Sequence, residues 1–231
     1  MLIEKPIRRG RLLRRYKRFL ADVELSSGEV LTAHCPNTGS LTGCVPRGAR
    51  VVLRDSQNPA RKLRWTLQTI EVDGTWVNVD TGLPNALVTE ALSAGEITEL
   101  QGYDSLRREV KYGLSSRIDI LLERPGERCY VEVKTTTLAK EGLARFPDAV
   151  TERGRKHLEE LARMVHAGHR AVIFFCVSRG DVEAFSPADD IDPLYGQELR
   201  RALAGGVEAL AYSTWVEPGR FELGRRLPIA L

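Results

Sequence analysis

The sequence predicts a small all-β barrel followed by an α/β domain, and three observations carry that reading. Short β-like runs crowd into roughly the first 80 residues, separated by turn-forming residues. Thr81-Gly82-Leu83-Pro84 then interrupts the pattern, placing a barrel over 1–82 and an α/β domain over 83–231. Beyond that break the segments read helix, three strands, helix, strand, an order that lets helices cover both faces of one sheet.

In the first domain, strands are expected at Phe19 to Leu25, Glu29 to Ala33, Ala49 to Arg54, Trp65 to Val72 and Trp76 to Val79. Ser26-Ser27-Gly28, Asn58-Pro59 and Asp73-Gly74 supply the turns. Strands of this number and length suit a small barrel, of which the OB type is the version that binds nucleic acid. Pro36-Asn37-Thr38-Gly39-Ser40 is neither regular strand nor helix. Its backbone N–H groups could meet a phosphate, or form an ordinary Asx-type turn.

Charge is concentrated at one end of the chain. Overall it is only +3, yet residues 1–18 hold eight Lys or Arg against one acid. Arg11, Arg14, Arg15 and Arg18 are the candidate phosphate contacts of a basic N-terminal strand, which would make binding to a polyanion steeply salt-dependent. Tyr16, Phe19 and Trp65 are the aromatics nearest these charges, available either to stack on bases or to fill the barrel. No sustained helical apolar stripe accompanies the charge, so a membrane surface is the poorer match.

The second domain opens with a helix that Asn85 can cap and that reaches about Ser93. A strand containing Arg108-Glu109-Val110-Lys111 follows. Next comes the most informative stretch of the chain, Ser116 to Leu122 and Cys129 to Lys134, joined by the turn of a hairpin. Closing the hairpin on Arg124 and Glu127 sets Asp119 opposite Glu132. Alternation then puts Arg117, Asp119 and Leu121 on one face with Tyr130, Glu132 and Lys134, leaving Ile118, Ile120 and Leu122 on an apolar reverse face. A helix from about Thr151 to His166 is next, with Thr151 as its cap and Arg153, Lys156 and His157 near its start. Ala171 to Val177 reads as a central strand, Leu194 to Ala204 as a helix and Glu208 to Val216 as a further strand.

Two carboxylates directly opposite, with Cβ atoms roughly 5 Å apart, repel unless a cation sits between them. Hard oxygen ligands suit Mg²⁺ or Mn²⁺ shared with phosphate oxygens, and such a metal activates water against a phosphodiester. Lys134 on the same face could orient that water or neutralise developing charge. The plainer alternative is a solvated edge hairpin whose acids pair with Arg117 and Lys134.

Asp119 followed by Glu132-Val133-Lys134 resembles the metal site of the PD-(D/E)XK, or restriction-endonuclease-like, fold. More closely, the chain resembles the sugar fermentation stimulation protein A family of bacterial DNA-binding proteins. The resemblance rests on His34 to Gly39, Asn85 to Leu92, Gly113 to Asp119, Val131 to Thr137 and Phe146 to His157. It implies DNA as partner, duplex foremost with RNA still open, and a regulatory role in sugar (maltose) utilisation; with no recognition helix identifiable in the sequence, weakly sequence-selective binding is expected. It also implies a restriction-endonuclease-like core after an OB-type barrel. The alternative activity it implies is a Mg- or Mn-dependent nuclease acting through Asp119, Glu132 and Lys134, leaving a 5′-phosphate and a 3′-hydroxyl. Glu90 matches the place of a third carboxylate, with Glu109 competing for that role. Arg153 and Lys156 match helix residues that approach the DNA backbone.

Other classes of function find little support. The chain has 231 residues, 42% of them hydrophobic, without a signal-like start or a long apolar run, so a cytoplasmic location is expected. Cys35, Cys44, Cys129 and Cys176 form no compact metal or disulfide pattern and are expected as free thiols. There is no phosphate-binding Gly-x-Gly-x-x-Gly or Walker loop, and the four histidines form no metal cluster in sequence.

Overall fold

The computed structural model describes residues 1–2, 6–113 and 116–231. The basic N-terminal segment forms β1 (Ile7–Tyr16), followed by β2 (Leu20–Leu25), β3 (Val30–His34), β4 (Arg50–Asp55), β5 (Trp65–Val72) and β6 (Thr75–Asn78). They line up as β3-β2-β1-β4-β5-β6, and a β3–β5 contact at His34 and Thr66 closes the sheet into a barrel. Leu12, Val23, Leu53, Leu67 and Ile70 fill its interior. Gly10 on β1 is required by close approach, since a Cβ there would lie 2.5 Å from the Glu24 carbonyl oxygen.

The second domain begins with α1 (Pro84–Ser93) and continues with β7 (Ser105–Tyr112), β8 (Ser116–Arg124) and β9 (Glu127–Thr136). Two short strands, β10 (Ala139–Lys140) and β11 (Leu143–Phe146), precede α2 (Glu152–His166). The chain ends with β12 (Arg170–Val177), β13 (Ala184–Pro187), α3 (Pro193–Ala204), β14 (Glu208–Glu217) and β15 (Arg220–Arg226). The main sheet has the order β15-β14-β12-β9-β8-β7, with β12 parallel to both β9 and β14. A small sheet, β10-β11-β13, stands beside it. No helix among the described residues is long and apolar enough to cross a membrane.

The central strand β12 shows how the helices are held. Ile173, Phe175 and Val177 pack under α2 and α3, against Leu158, Leu161, Tyr195 and Leu199. The alternate residues Val172, Phe174 and Cys176 pack under α1, against Leu87, Val88 and Ala91. Both faces are therefore apolar, which is why this strand reads as a continuous hydrophobic run. The boundary at residue 82 needs one amendment. Leu2 bridges to Arg220 and Phe221 donates its N–H to the Met1 carbonyl, so residues 1–2 join the far domain.

Two features fix the start of α2. Thr151 caps it as expected, accepting the Gly154 N–H at 3.0 Å. Gly154 itself is needed for packing, because a Cβ would stand 2.7 Å from Thr151 Cγ2 and 3.1 Å from Tyr195 Cε2. Asp192 then ties α2 to α3, accepting from Thr151 N at 2.8 Å and Tyr195 N at 3.0 Å while pairing with Arg155 at 3.2 Å. Its burial makes that carboxylate costly to lose. Asp192→Ala should reduce stability by about 3 kcal/mol, read from urea unfolding. A loss below about 0.5 kcal/mol would remove Asp192 as the tie between the helices.

Candidate active site

The hairpin register is as the sequence predicts. Arg124 pairs with Glu127, Glu123 with Arg128, Leu122 with Cys129, Leu121 with Tyr130 and Ile120 with Val131. At the next position the ladder changes character. Val133 donates its backbone N–H to Asp119 Oδ2 at 2.7 Å, so a side chain stands where a strand carbonyl would. The expected apolar face is also interrupted here: Ile120 and Leu122 pack under α1, but Ile118 packs with Leu121 under α2. On the neighbouring strand Glu109 has φ +53°, a left-handed conformation unusual for a non-glycine residue, and its side chain is exposed. The predicted Gly113 to Ser116 turn includes Leu114 and Ser115, which lie outside the described residues.

The second oxygen of Asp119 accepts from Asn85 Nδ2 at 2.8 Å. Asn85 is therefore not the helix cap; Leu83 holds that position without a side-chain bond, and Asn85 reaches across to the strand. Glu90, five residues along α1, does not reach the site. Its carboxylate is 54% exposed and pairs with the Met1 amino group at 3.2 Å. Five helical residues turn through about 500°, so one face cannot serve both Asn85 and Glu90. Neither proposed third carboxylate, Glu90 nor Glu109, stands beside Asp119 and Glu132.

Glu132 is enclosed by cations and by a histidine that sequence reasoning discounted. Lys134 Nζ donates to Glu132 Oε1 at 2.7 Å, and His157 Nδ1 bonds the same oxygen. Arg153 Nε lies 3.2 Å from His157 Nε2. The i,i+4 spacing of Arg153 and His157 was the available signal, since it places them on one helix face. Glu132 Oε2 is buried with no hydrogen-bond partner among the described residues. Tyr112 and Glu160 are buried nearby and interact with one another through their side chains.

The two carboxyls titrate in opposite directions. Burial, reinforced by the charge of Glu132, pushes Asp119 up to about 6. Burial also works against the charge of Glu132, but Lys134 and His157 outweigh it and hold that carboxyl below the usual range. An ionised Glu132 beside a more readily protonated Asp119 divides the pair into two chemically different oxygens sets. No group of three or more His, Cys, Asp or Glu side chains among the described residues is close enough together to form a metal cage. Two carboxylates completed by substrate phosphate and water are a normal Mg²⁺ arrangement, and the unpaired Oε2 of Glu132 suits it.

A cleft of about 630 Å³ lies between the domains and reaches the Thr151 cap of α2; Asp119, Glu132 and Lys134 do not line it. Arg15, Arg18 and the Asn37–Ser40 loop form its barrel side; Thr135, Thr137 and the segment Arg145 to Thr151 form the other. Arg15 is built into that wall, donating to the carbonyls of Asn37 at 2.8 Å, Gly39 at 2.7 Å and Ser40 at 3.2 Å. Gly39 N bonds Asn37 Oδ1 in an Asx-type turn, and Leu41 N, just past the loop, bonds Asp148 across the domain boundary, both at 2.8 Å.

The remaining predicted contacts separate by partner. Arg14 is committed to Asp22 at 2.8 Å and stacks on Tyr16. Arg11 donates to the Gly48 carbonyl at 3.1 Å, while Arg18 and Lys156 are exposed. Trp65 is barrel core flanked by Arg8 and Arg64, whereas Phe19 is 45% exposed. All four cysteines are free and buried, and burial raises each thiol.

Comparison with known proteins agrees with both domains. Residues 13–79 match the SfsA N-terminal OB domain, and residues 82–220 match the sugar fermentation stimulation protein RE domain. A sugar fermentation stimulation protein homolog of Geobacter metallireducens is 57% identical over 232 residues, covering 100% of both chains. The homolog from Geobacter sulfurreducens is 54% identical over 229 residues, 99% of this chain and 98% of the relative. Among solved structures, Pyrococcus furiosus SfsA in complex with Ca²⁺ superposes with a TM-score of 0.90 at 28% identity, covering 100% of each chain. An OB-type barrel followed by a restriction-endonuclease-like core is thus the architecture of this protein, and the chain belongs to the sugar fermentation stimulation protein family.

Proposed function

We propose that the protein binds DNA by its phosphate backbone, with weak sequence selectivity, along the cleft between its domains. The observation carrying this reading is Arg18, exposed on the barrel wall of the cleft and facing Thr135, Thr137 and the segment Arg145 to Thr151 on the other wall. A strand lying in the cleft would meet Arg18 on the barrel side and Thr151 on the other, the cap of the helix that carries Arg153 and His157. Phosphate contacts of this kind position nucleic acid without reading bases. The family name ties its members to sugar fermentation, and DNA binding is the activity through which we connect this chain to that regulation.

The Arg11→Gln/Arg18→Gln double variant should weaken binding to unrelated duplexes about equally and lower the salt slope by about 2. Arg14→Gln should matter much less, because Asp22 already engages that guanidinium. Fluorescence anisotropy across a salt series, with RNA as a separate arm, measures these differences. An unchanged slope in the folded double variant would overturn the assignment of the barrel surface.

A second reading, metal-dependent phosphodiester hydrolysis, is favoured by the buried unpaired oxygen of Glu132. Asp119 and Glu132 would hold Mg²⁺ or Mn²⁺, which when bound supplies polarisation of the phosphodiester and a more acidic water. Asn85 and the Val133 N–H orient Asp119, and Lys134 places a positive charge beside Glu132. The relative from Pyrococcus furiosus is described in complex with Ca²⁺, another hard cation with oxygen ligands.

Protons compete with the cation at Asp119, whose carboxyl lies at about 6. Mn²⁺ affinity should therefore rise by about tenfold per pH unit below that value and flatten above it. The same raised value makes Asp119 favour the apo fold most below its unfolded pKa, and this contribution is lost as pH rises through about 6. Calorimetric titration of wild type and Asp119→Asn tests the site; equal Mn²⁺ binding would exclude Asp119 as a ligand. For catalysis, end-labelled single-stranded, duplex and branched DNA and RNA are incubated with Mn²⁺ or EDTA. Loss of at least about a hundredfold in cleavage is expected for Lys134→Ala and Glu132→Gln. Cleavage retained equally by both variants would assign it to another source.

A further inference from the structure

The protonation of His157 follows from its two neighbours. Arginine carries only donors, so the contact from Arg153 Nε at 3.2 Å makes His157 Nε2 an acceptor. A neutral imidazole must then carry its proton on Nδ1, which donates to Glu132 Oε1. Nδ1 in that tautomer cannot accept from Lys134 Nζ, 3.1 Å away, and Lys134 instead donates to Glu132 Oε1 at 2.7 Å. Two donors therefore converge on Oε1, while Oε2 remains buried without a partner among the described residues.

The outer end of this chain is open. Arg153 is exposed, and only its Nε is engaged by a described residue. Its terminal nitrogens stand at the second residue of α2, where a planar guanidinium can receive two phosphate oxygens. His157, by contrast, is 8% exposed and bridges the surface arginine to the buried carboxylate.

We propose that His157 is a positioning residue that couples nucleic-acid phosphate binding at Arg153 to the orientation of Glu132 and thus to cation binding. This inference rests on the reading of Asp119 and Glu132 as a cation site. A phosphate held by the terminal nitrogens fixes the guanidinium plane, whose Nε–H holds the His157 ring at Nε2 in the orientation from which Nδ1–H reaches Glu132. That tautomer keeps a donor on Glu132 Oε1 and turns Oε2 toward the cation. In the other tautomer Nδ1 presents a lone pair to a carboxylate oxygen, and Nε2–H faces a donor, so both contacts become repulsive. Thermodynamic linkage makes the effect reciprocal: phosphate and cation strengthen one another's binding by the same factor.

Two measurements test the coupling. Long-range ¹⁵N–¹H spectra of the histidine rings in the metal-free protein should assign the Nδ1–H tautomer to His157, and R153Q should shift its Nε2 resonance, which has lost the arginine donor. A wild-type Nε2–H tautomer would overturn the hydrogen-bond chain independently of any metal. Mn²⁺ is then titrated by calorimetry with and without a saturating short oligonucleotide, and the ratio of affinities is compared within each protein. Wild type should show a ratio of about 5 or more. In H157N the side-chain amide retains a donor for Glu132 and Arg153 remains present, yet the ratio should fall to about 1. A wild-type ratio preserved in H157N or R153Q overturns this inference alone. Failure of wild type to bind Mn²⁺ in either condition overturns the cation-site reading and, with it, the coupling.

Discussion

The bond from the Val133 N–H to the Asp119 carboxylate organises everything around it. A backbone donor in the interior of a sheet must find an acceptor, and here the acceptor is a side chain. Placing that acceptor at Asp119 fixes the carboxylate between two strands, and Asn85 fixes its other oxygen from the helix. The breaks in the hairpin's regularity follow the same point. Ile118 and Ile120 enter different cores, and Glu109 on the adjacent strand takes a left-handed conformation.

Around this anchor the protein buries charge without fully neutralising it. Glu132 gains Lys134 and His157, while Asp119 receives only uncharged donors. That difference separates their proton affinities, as expected when two nearby carboxyls occupy unlike environments. The oxygen of Glu132 left without a partner among the described residues is a further cost of keeping polar groups in a packed interior. That cost falls under α2, whose position is secured at Thr151, Gly154 and Asp192. Stability of the helix start and geometry of the carboxylate site are therefore linked.

The barrel contributes a wall as well as charge. Arg15 resembles its neighbours in sequence, but its guanidinium closes the loop that faces the second domain. Leu41 and Asp148 join that loop to the segment before α2, and Cys44 Sγ reaches the Thr137 carbonyl at 3.4 Å. Interdomain bonds thus set the width of the cleft, leaving Arg11 and Arg18 on the exposed basic surface.

Local chemistry in the sequence determined the order of the main strands and helices, the hairpin register and the membership of Asp119, Glu132 and Lys134 in one constellation, but not the short strands β10, β11 and β13 or the edge strand β15. Alternation, turn residues and a helix cap act over a few positions and leave direct marks in the chain. The bounds of β1 were obscured because its arginines and the irregularity between Leu12 and Arg14 break simple alternation. Only tertiary structure decided that Asn85 serves Asp119 while Glu90 pairs with Met1, and that His157 holds Glu132. Those choices depend on how a helix rotates against a sheet, which its own residues restrict to a face but do not assign to a partner. Likewise, four arginines in one basic segment carry the same charge, but the surrounding carbonyls and carboxylates decide which remain available to a phosphate.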